Sequence, residues 1–170
     1  KAVKKIMKEF GQGGWIASGF SEANGGDQIP FIIRGTTSFI FAASNYSACA
    51  FPELTSGAAE LITSFGSQKL IDTYVPKMLD GEWQGTMALT EPQAGSSLSD
   101  ITTTAFPDQN GSFKIKGVKT FISAGDHDGA KNIIHLMLAR IDNAPAGAKG
   151  ISLFVVPKKR IDEKGNLIFN

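Results

Sequence analysis

The chain has 170 residues, 17 basic and 16 acidic, with two histidines, one cysteine and a net charge of +1. So even a balance leaves no strongly basic face for nucleic acid, and a lone Cys49 excludes an intrachain disulfide. No run reaches the ~18 apolar residues of a membrane span, and no basic start followed by an apolar run marks a signal peptide, so a cytoplasmic protein of one or two small domains is expected.

Val3, Ile6, Met7 and Phe10 recur at helical spacing between lysines, and Gly11, Gly13 and Gly14 stop that helix. Ser18 to Pro30 reads as a loop, with Asn24, Gly25, Gly26 and Asp27 as turn formers. From Pro30 to about Asn45 the chain is apolar nearly all round, which predicts a buried helix, with the β-branched content leaving a strand as the alternative. Ser44 to Phe51 is a break rich in small residues, and Pro52 opens the next helix, with Leu54, Ala58, Leu61, Ile62 and Phe65 on one face. Ser67 can cap the helix that follows, and Pro76 predicts a kink or a fresh start within it.

Beyond Glu82 the period changes. Gln84–Thr90, Thr102–Phe106, Phe113–Lys116, Lys119–Ser123, Ile133–Ile141, Gly150–Val156 and Leu167–Asn170 read as strands, the last with no partner after it. Asp108 to Gly111 signals a hairpin turn. Helices first and strands after argue for α+β with segregated layers. The expected division is a helical part over 1–84 and a β part over 85–170.

Several chemistries can be weighed. Cys49 sits among small and apolar residues and reads as a buried side chain. No GxGxxG links a strand to a helix, so a Rossmann site has no support. Asp126-His127-Asp128 invites a metal, but the other histidine, His135, lies in an apolar strand pattern, so no metal site is expected. The 126–128 segment reads as a polar loop at a cofactor or substrate entrance. No GxSxG elbow supports a serine triad. Met87 to Ser99, MALTEPQAGSSLS, is the most pointed stretch: a short apolar strand opens at Pro92 into a Gly/Ser turn whose backbone N–H groups can cradle an anion.

MALTEPQAGSS, then KGVKTFISAGDHD from Lys116, then NIIHLMLARIDNAPAGAKGISLFVVPK from Asn132 resemble, in order, the middle domain of acyl-CoA dehydrogenases. The match is most like the bacterial branch that includes methylmercaptopropionyl-CoA dehydrogenase. It implies a helical amino-terminal domain followed by an antiparallel β-barrel or sandwich, and a bound FAD. On that resemblance Ser96, with Gly95, meets the pyrophosphate, and Leu89 and Thr90 meet the pyrimidine edge. Phe121, where many members have tryptophan, packs on the ring, Ser123 approaches N5, and Met87 stands at a further flavin contact that is aromatic in several members. The reaction implied is oxidation of an acyl-CoA to the trans-2-enoyl thioester. A carboxylate base on a carboxy-terminal domain, beyond Asn170, removes the α-proton, so this chain alone is expected to be inactive. An electron-transfer flavoprotein as acceptor and a homo-oligomer are implied too. An acyl-CoA oxidase or related flavoprotein, and a non-catalytic anion- or partner-binding β-domain, are the alternatives. Tyr46 to Phe51, with Ala48 at its centre, is a candidate acyl pocket.

Overall fold

The computed structural model describes residues 1–170, the side chain of Asn110 excepted. Three helices come first: α1 (Ala2–Gln12), α2 (Phe31–Phe65) and α3 (Gln68–Leu79). Seven strands follow: β1 (Trp83–Ala88), β2 (Thr104–Pro107), β3 (Phe113–Lys116), β4 (Asn132–Ile141), β5 (Ile151–Pro157), β6 (Lys159–Ile161) and β7 (Leu167–Phe169). The change of period near Gln84 therefore marks the change of structure, and the class is α+β.

The helices depart from expectation at their prolines. α2 bends at Asn45, whose backbone leaves the helical region at φ −164° and ψ 88°. The Asn45 side chain accepts the Ala48 N–H at 3.2 Å, the bond of an N-cap, so the helix restarts there and Pro52 lies inside it rather than opening it. Pro76 likewise lies inside an unbroken α3. An interior proline costs about 3 kcal/mol, and burial of the adjacent Val75, Met78 and Leu79 offsets it.

The first half of α2 is not buried. Phe31, Ile32 and Phe39 are 79%, 75% and 73% exposed. Only one side of this half is packed, where Phe41 meets the rings of Phe10 at 5.0 Å and Trp15 at 5.2 Å. Apolar composition gives a helix a surface to bury but does not supply a partner for it.

β4 is the centre of a five-stranded sheet. β1 runs parallel to it from Trp83↔Asn132 to Ala88↔Met137. β2 continues along the same edge of β4, also parallel, at Thr104↔Arg140 and Ala105↔Ile141, and β3 adds antiparallel to β2. β5 takes the other edge, antiparallel, from Ile134↔Pro157 to Arg140↔Ile151. This mixed sheet corrects the expected antiparallel barrel or sandwich: no closed barrel forms among the described residues. The reason lies in β1, whose residues are buried on both faces apart from Met87, the environment in which parallel pairing is at home.

Leu167–Phe169 pairs antiparallel with the preceding β6. One further strand expectation changes. Lys119–Ser123 is not a strand, because Phe121 and Ala124 have φ of +55° and +53°, which turns the chain.

One apolar cluster joins the helical part to the sheet. It includes Met7, Ala58, Ile62, Met78, Trp83, Ile134 and Leu136. Burying a side chain such as Ile134 or Leu136 contributes about 1.5–3 kcal/mol. β1 lies close to α2 and α3 at Gly85, where a Cβ would stand 2.6 Å from the Ala58 Cβ and 2.8 Å from the Met78 Cε. Only glycine lets β1 lie this near α2.

Candidate functional site

Alternation along β1 divides its side chains between two surroundings. The odd positions face the helices. Trp83 meets Tyr74 at 6.1 Å between ring centroids, and the Gly85 N–H donates to Thr55 Oγ1 at 3.1 Å. The even positions face the loop that follows Lys119. Thr86 Oγ1 donates to the Ser123 carbonyl at 2.7 Å, and Gln84 accepts from His127. The His127 Nδ1 accepts the Gly129 N–H at 2.8 Å, so the proton sits on Nε2, which donates to Gln84. Burial, with Lys158 beside it, pushes the His127 pKa below its usual value. His127 is therefore an inward tie, with its ring edge-on to Phe51 at 5.6 Å, and not the entrance group the sequence suggested. His135, on β4, is likewise held below its ordinary pKa by burial.

Past β1 the chain reaches a buried charge. The Glu91 side chain is 1% exposed and that of Lys119 is 7% exposed, with Nζ 2.8 Å from Oε1. Oε2 accepts the Thr102 N–H at 2.7 Å, the Thr102 hydroxyl at 2.9 Å and the Gln93 amide at 2.7 Å, and Oε1 accepts the Thr103 N–H at 3.0 Å. Burial by itself would raise the carboxyl's pKa. The Lys119 ammonium and the Thr102 and Thr103 donors outweigh it and hold the carboxyl far below the carboxylate range. Lys119 Nζ also donates to the Leu89 carbonyl at 3.1 Å. The Glu91 N–H donates to the Ala94 carbonyl at 2.8 Å and the Ala94 N–H returns to Glu91 at 3.1 Å, which closes the turn leading to Gly95 and Ser96.

The residues singled out from the sequence fall around this centre. Leu89 and Thr90 are partly buried at the end of β1, and the Thr90 carbonyl accepts the Thr120 N–H at 2.9 Å. That bond sets Phe121 beside the strand end, with its ring 91% exposed. A Cβ on Gly95 would meet only the Thr90 Cγ2, at 4.0 Å, so the face of this turn is open. Ser96 and Ser123 are exposed, and neither hydroxyl bonds another described residue. Met87 and Ser123 share a cleft of about 530 Å³ with Tyr46, Ala50, Leu54, Gly57 and Leu61 of α2. Of the Tyr46–Phe51 segment, Tyr46 and Ala50 line it and Ala48 does not. A smaller cleft, of about 90 Å³ around Arg34, Phe10 and Trp15, shares only Glu53 with it.

Sequence reasoning missed the buried pair of Glu91 and Lys119. No local signal joins Glu91 to Lys119 across 28 residues. It also missed Arg140, which donates to the carbonyls of Gly147 and Ser99, each at 3.0 Å, and so ties the 142–150 loop to the Ser97–Asp100 turn.

The arrangement fits an elongated ligand with an anionic group and a flat ring. The open Gly95–Ser96 turn offers donors for an anion. Phe121 presents an uncovered aromatic face, and the Thr90 N–H donates to no acceptor among the described residues. No group of three or more His, Cys, Asp or Glu that could hold a metal occurs among the described residues. No helix there is long and apolar enough to cross a membrane.

Comparison with known proteins agrees with this geometry. The family model described as acyl-CoA dehydrogenase, middle domain, matches residues 86–165. The acyl-CoA dehydrogenase N-terminal domain model matches residues 1–82. The chain is 40% identical to 3-methylmercaptopropionyl-CoA dehydrogenase of Ruegeria pomeroyi, over 97% of this chain and 28% of that protein. It is 42% identical to a butyryl-CoA dehydrogenase of Syntrophomonas wolfei, over 86% of this chain and 24% of that protein. A crystal structure of an acyl-CoA dehydrogenase from Bacillus anthracis, complexed with FAD, superposes with a TM-score of 0.74 at 25% identity, over 92% of this chain and 25% of that one. The chain thus spans about a quarter of the length of these relatives. With consecutive models of one family matching both its helical part and its sheet, the chain belongs to the acyl-CoA dehydrogenase family.

Proposed function

We propose that this chain is the FAD-cradling part of an acyl-CoA dehydrogenase that oxidises an acyl-CoA to its trans-2-enoyl thioester. A helical domain over 1–84 and a β domain over 85–170 form the two walls. The observation that carries this reading is the convergence at the end of β1. The open Gly95–Ser96 turn, the unpaired Thr90 N–H and the uncovered Phe121 ring adjoin there, beside an apolar cleft.

A flavin bound there supplies the acceptor for the β-hydride. Ser96 and the Gly95 turn hold its pyrophosphate, and Leu89 and Thr90 orient its pyrimidine edge. Phe121 covers the ring with an apolar face. Phenylalanine has no ring N–H, so that contact is packing alone. Ser123, with its carbonyl held by Thr86, presents its hydroxyl beside the cleft, and Met87 closes the wall between ring and cleft. The cleft along α2 takes the acyl chain. Glu91, the buried carboxylate beside the site, is engaged by Lys119, Thr102 and Thr103 and is not free to act as the α-proton base. The reading extends to an electron-transfer flavoprotein as acceptor, to a homo-oligomer and to a cytoplasmic location.

The test uses the full-length protein. It should hold FAD with visible flavin bands and reduce a dye only when acyl-CoA is added. Ser96→Ala should weaken FAD binding by about 1–3 kcal/mol, the cost of removing a partner of a charged group. Ala50→Phe should shorten the preferred acyl chain. A protein that holds no flavin would refute the reading. An unchanged chain-length profile would refute the cleft assignment.

A further inference from the structure

Lys119 is placed in a way that a simple structural tie does not need. Its ammonium is almost wholly buried and divides its bonds between two acceptors, the Glu91 carboxylate and the Leu89 carbonyl. The Leu89 carbonyl and the Thr90 N–H belong to one peptide unit. A donor on the oxygen of a peptide draws charge through the unit and makes its N–H a stronger donor, by ~10–30% per bond. The donor here is an ion, and ionised donors form bonds roughly twice as strong as neutral ones. The N–H that benefits is the one left without an acceptor among the described residues.

The same ammonium lies at the junction of the two segments that build the site. Glu91 begins the turn that carries Gly95 and Ser96, and Lys119 begins the segment that carries Phe121 and Ser123. Thr120 adds a second tie next to it by donating to the Thr90 carbonyl at 2.9 Å. The Leu89–Thr90 segment is thus held on both sides, with its carbonyls engaged and its Thr90 N–H without an acceptor among the described residues. Because Glu91 cancels the charge of Lys119, the pair projects little field over distance. Its influence on the site travels through the Leu89 bond.

We propose that Lys119 is a positioning residue that, seated on Glu91 and the Leu89 carbonyl, locks the Phe121–Ser123 segment to the Gly95–Ser96 turn and strengthens the Thr90 N–H as a donor to the anionic edge of the reduced flavin. This rests on the flavin reading above and adds to it an electronic role for a residue that does not touch the ring.

The experiment uses the full-length holoenzyme with two variants. Removing one charge alone would leave the other buried and unpaired and could unfold the protein. The principal variant is therefore the neutral pair E91Q/K119M, and K119R is the conservative control. FAD affinity and the two-electron midpoint potential are measured for each, with hydrogen exchange of the Thr90 and Thr120 amides followed in the flavin-free protein. E91Q/K119M is expected to bind FAD at least tenfold more weakly, with a more negative potential, because the reduced anion loses stabilisation. Its Thr120 amide should exchange faster, and K119R should restore most of the affinity and potential. A folded E91Q/K119M protein with wild-type affinity and potential, altered only in melting temperature, would overturn the proposal and leave the flavin reading intact. Failure of the wild-type protein to hold FAD would instead overturn that reading, and this proposal with it.

Discussion

The turn after β1 and the first half of α2 break the usual rule of burial in opposite directions. The turn buries an ion pair, and the helix exposes aromatic and branched apolar side chains. Glu91 is affordable inside because Lys119, Gln93, Thr102 and Thr103 supply its donors from the same chain. Phe31, Ile32 and Phe39 have no such complement among the described residues. The contrast teaches that polarity states what a segment needs, whereas its surroundings decide whether the need is met.

The contrast can be broken by mutation, and the largest effect belongs to the buried pair. Glu91→Ala leaves the Lys119 ammonium buried without its carboxylate and should cost about 3–5 kcal/mol in urea unfolding. If the loss were under about 1 kcal/mol, the pair would be solvated in practice and the comparison would collapse.

Next comes the approach of β1 to α2. Gly85→Val forces a branched side chain against Ala58 and Met78, where even a single carbon is too close, and should cost about 1–3 kcal/mol or more. A neutral result would mean that the strand and helix can separate without loss.

Acid sharpens the comparison from another side. Glu91 has a folded pKa below its unfolded one, so its contribution to stability is present above the unfolded value, about 4.3, and fades as pH falls toward the folded value. His127, also depressed on folding, contributes fully above about 6.5 and loses that contribution as pH falls below it. Glu91→Gln should flatten the stability profile below about pH 4.3, and His127→Asn should flatten it just below about pH 6.5. A profile that keeps its wild-type slope in either window would refute the corresponding assignment.

The smallest effect is expected on α2. Ile32→Thr and Phe39→Ser should change the stability of this chain by less than about 0.5 kcal/mol, as exposed sites do. A drop of more than about 2 kcal/mol would show that this face is covered in solution, since that is the scale of a buried apolar side chain.

Much of this was legible in the residues themselves. Helical spacing from Val3 to Phe10, and the β-branched and apolar run from Ile133 to Ile141, each specify an element by short-range period, and those elements form. The Gly/Ser turn was legible as a turn, whereas Leu89, Thr90, Phe121 and Ser123 were named through motif order alone and their roles belong to the proposed function. What could not be read were relations between distant segments. Period cannot say that β1 pairs parallel with β4, because alternation is the same in either direction. Propensity favoured a strand at Lys119–Ser123, but the Thr120–Thr90 bond and two left-handed residues made it a turn against the end of β1. Proline chemistry pointed to a break at Pro76, and core packing kept α3 whole. The sequence by itself determined most of the helix and strand segments and the place of the Gly/Ser turn, since those depend on neighbours along the chain. Only the tertiary structure decided the sheet's direction, the burial of Glu91 with Lys119 and the inward turn of His127, because each depends on which groups meet once the chain has closed on itself.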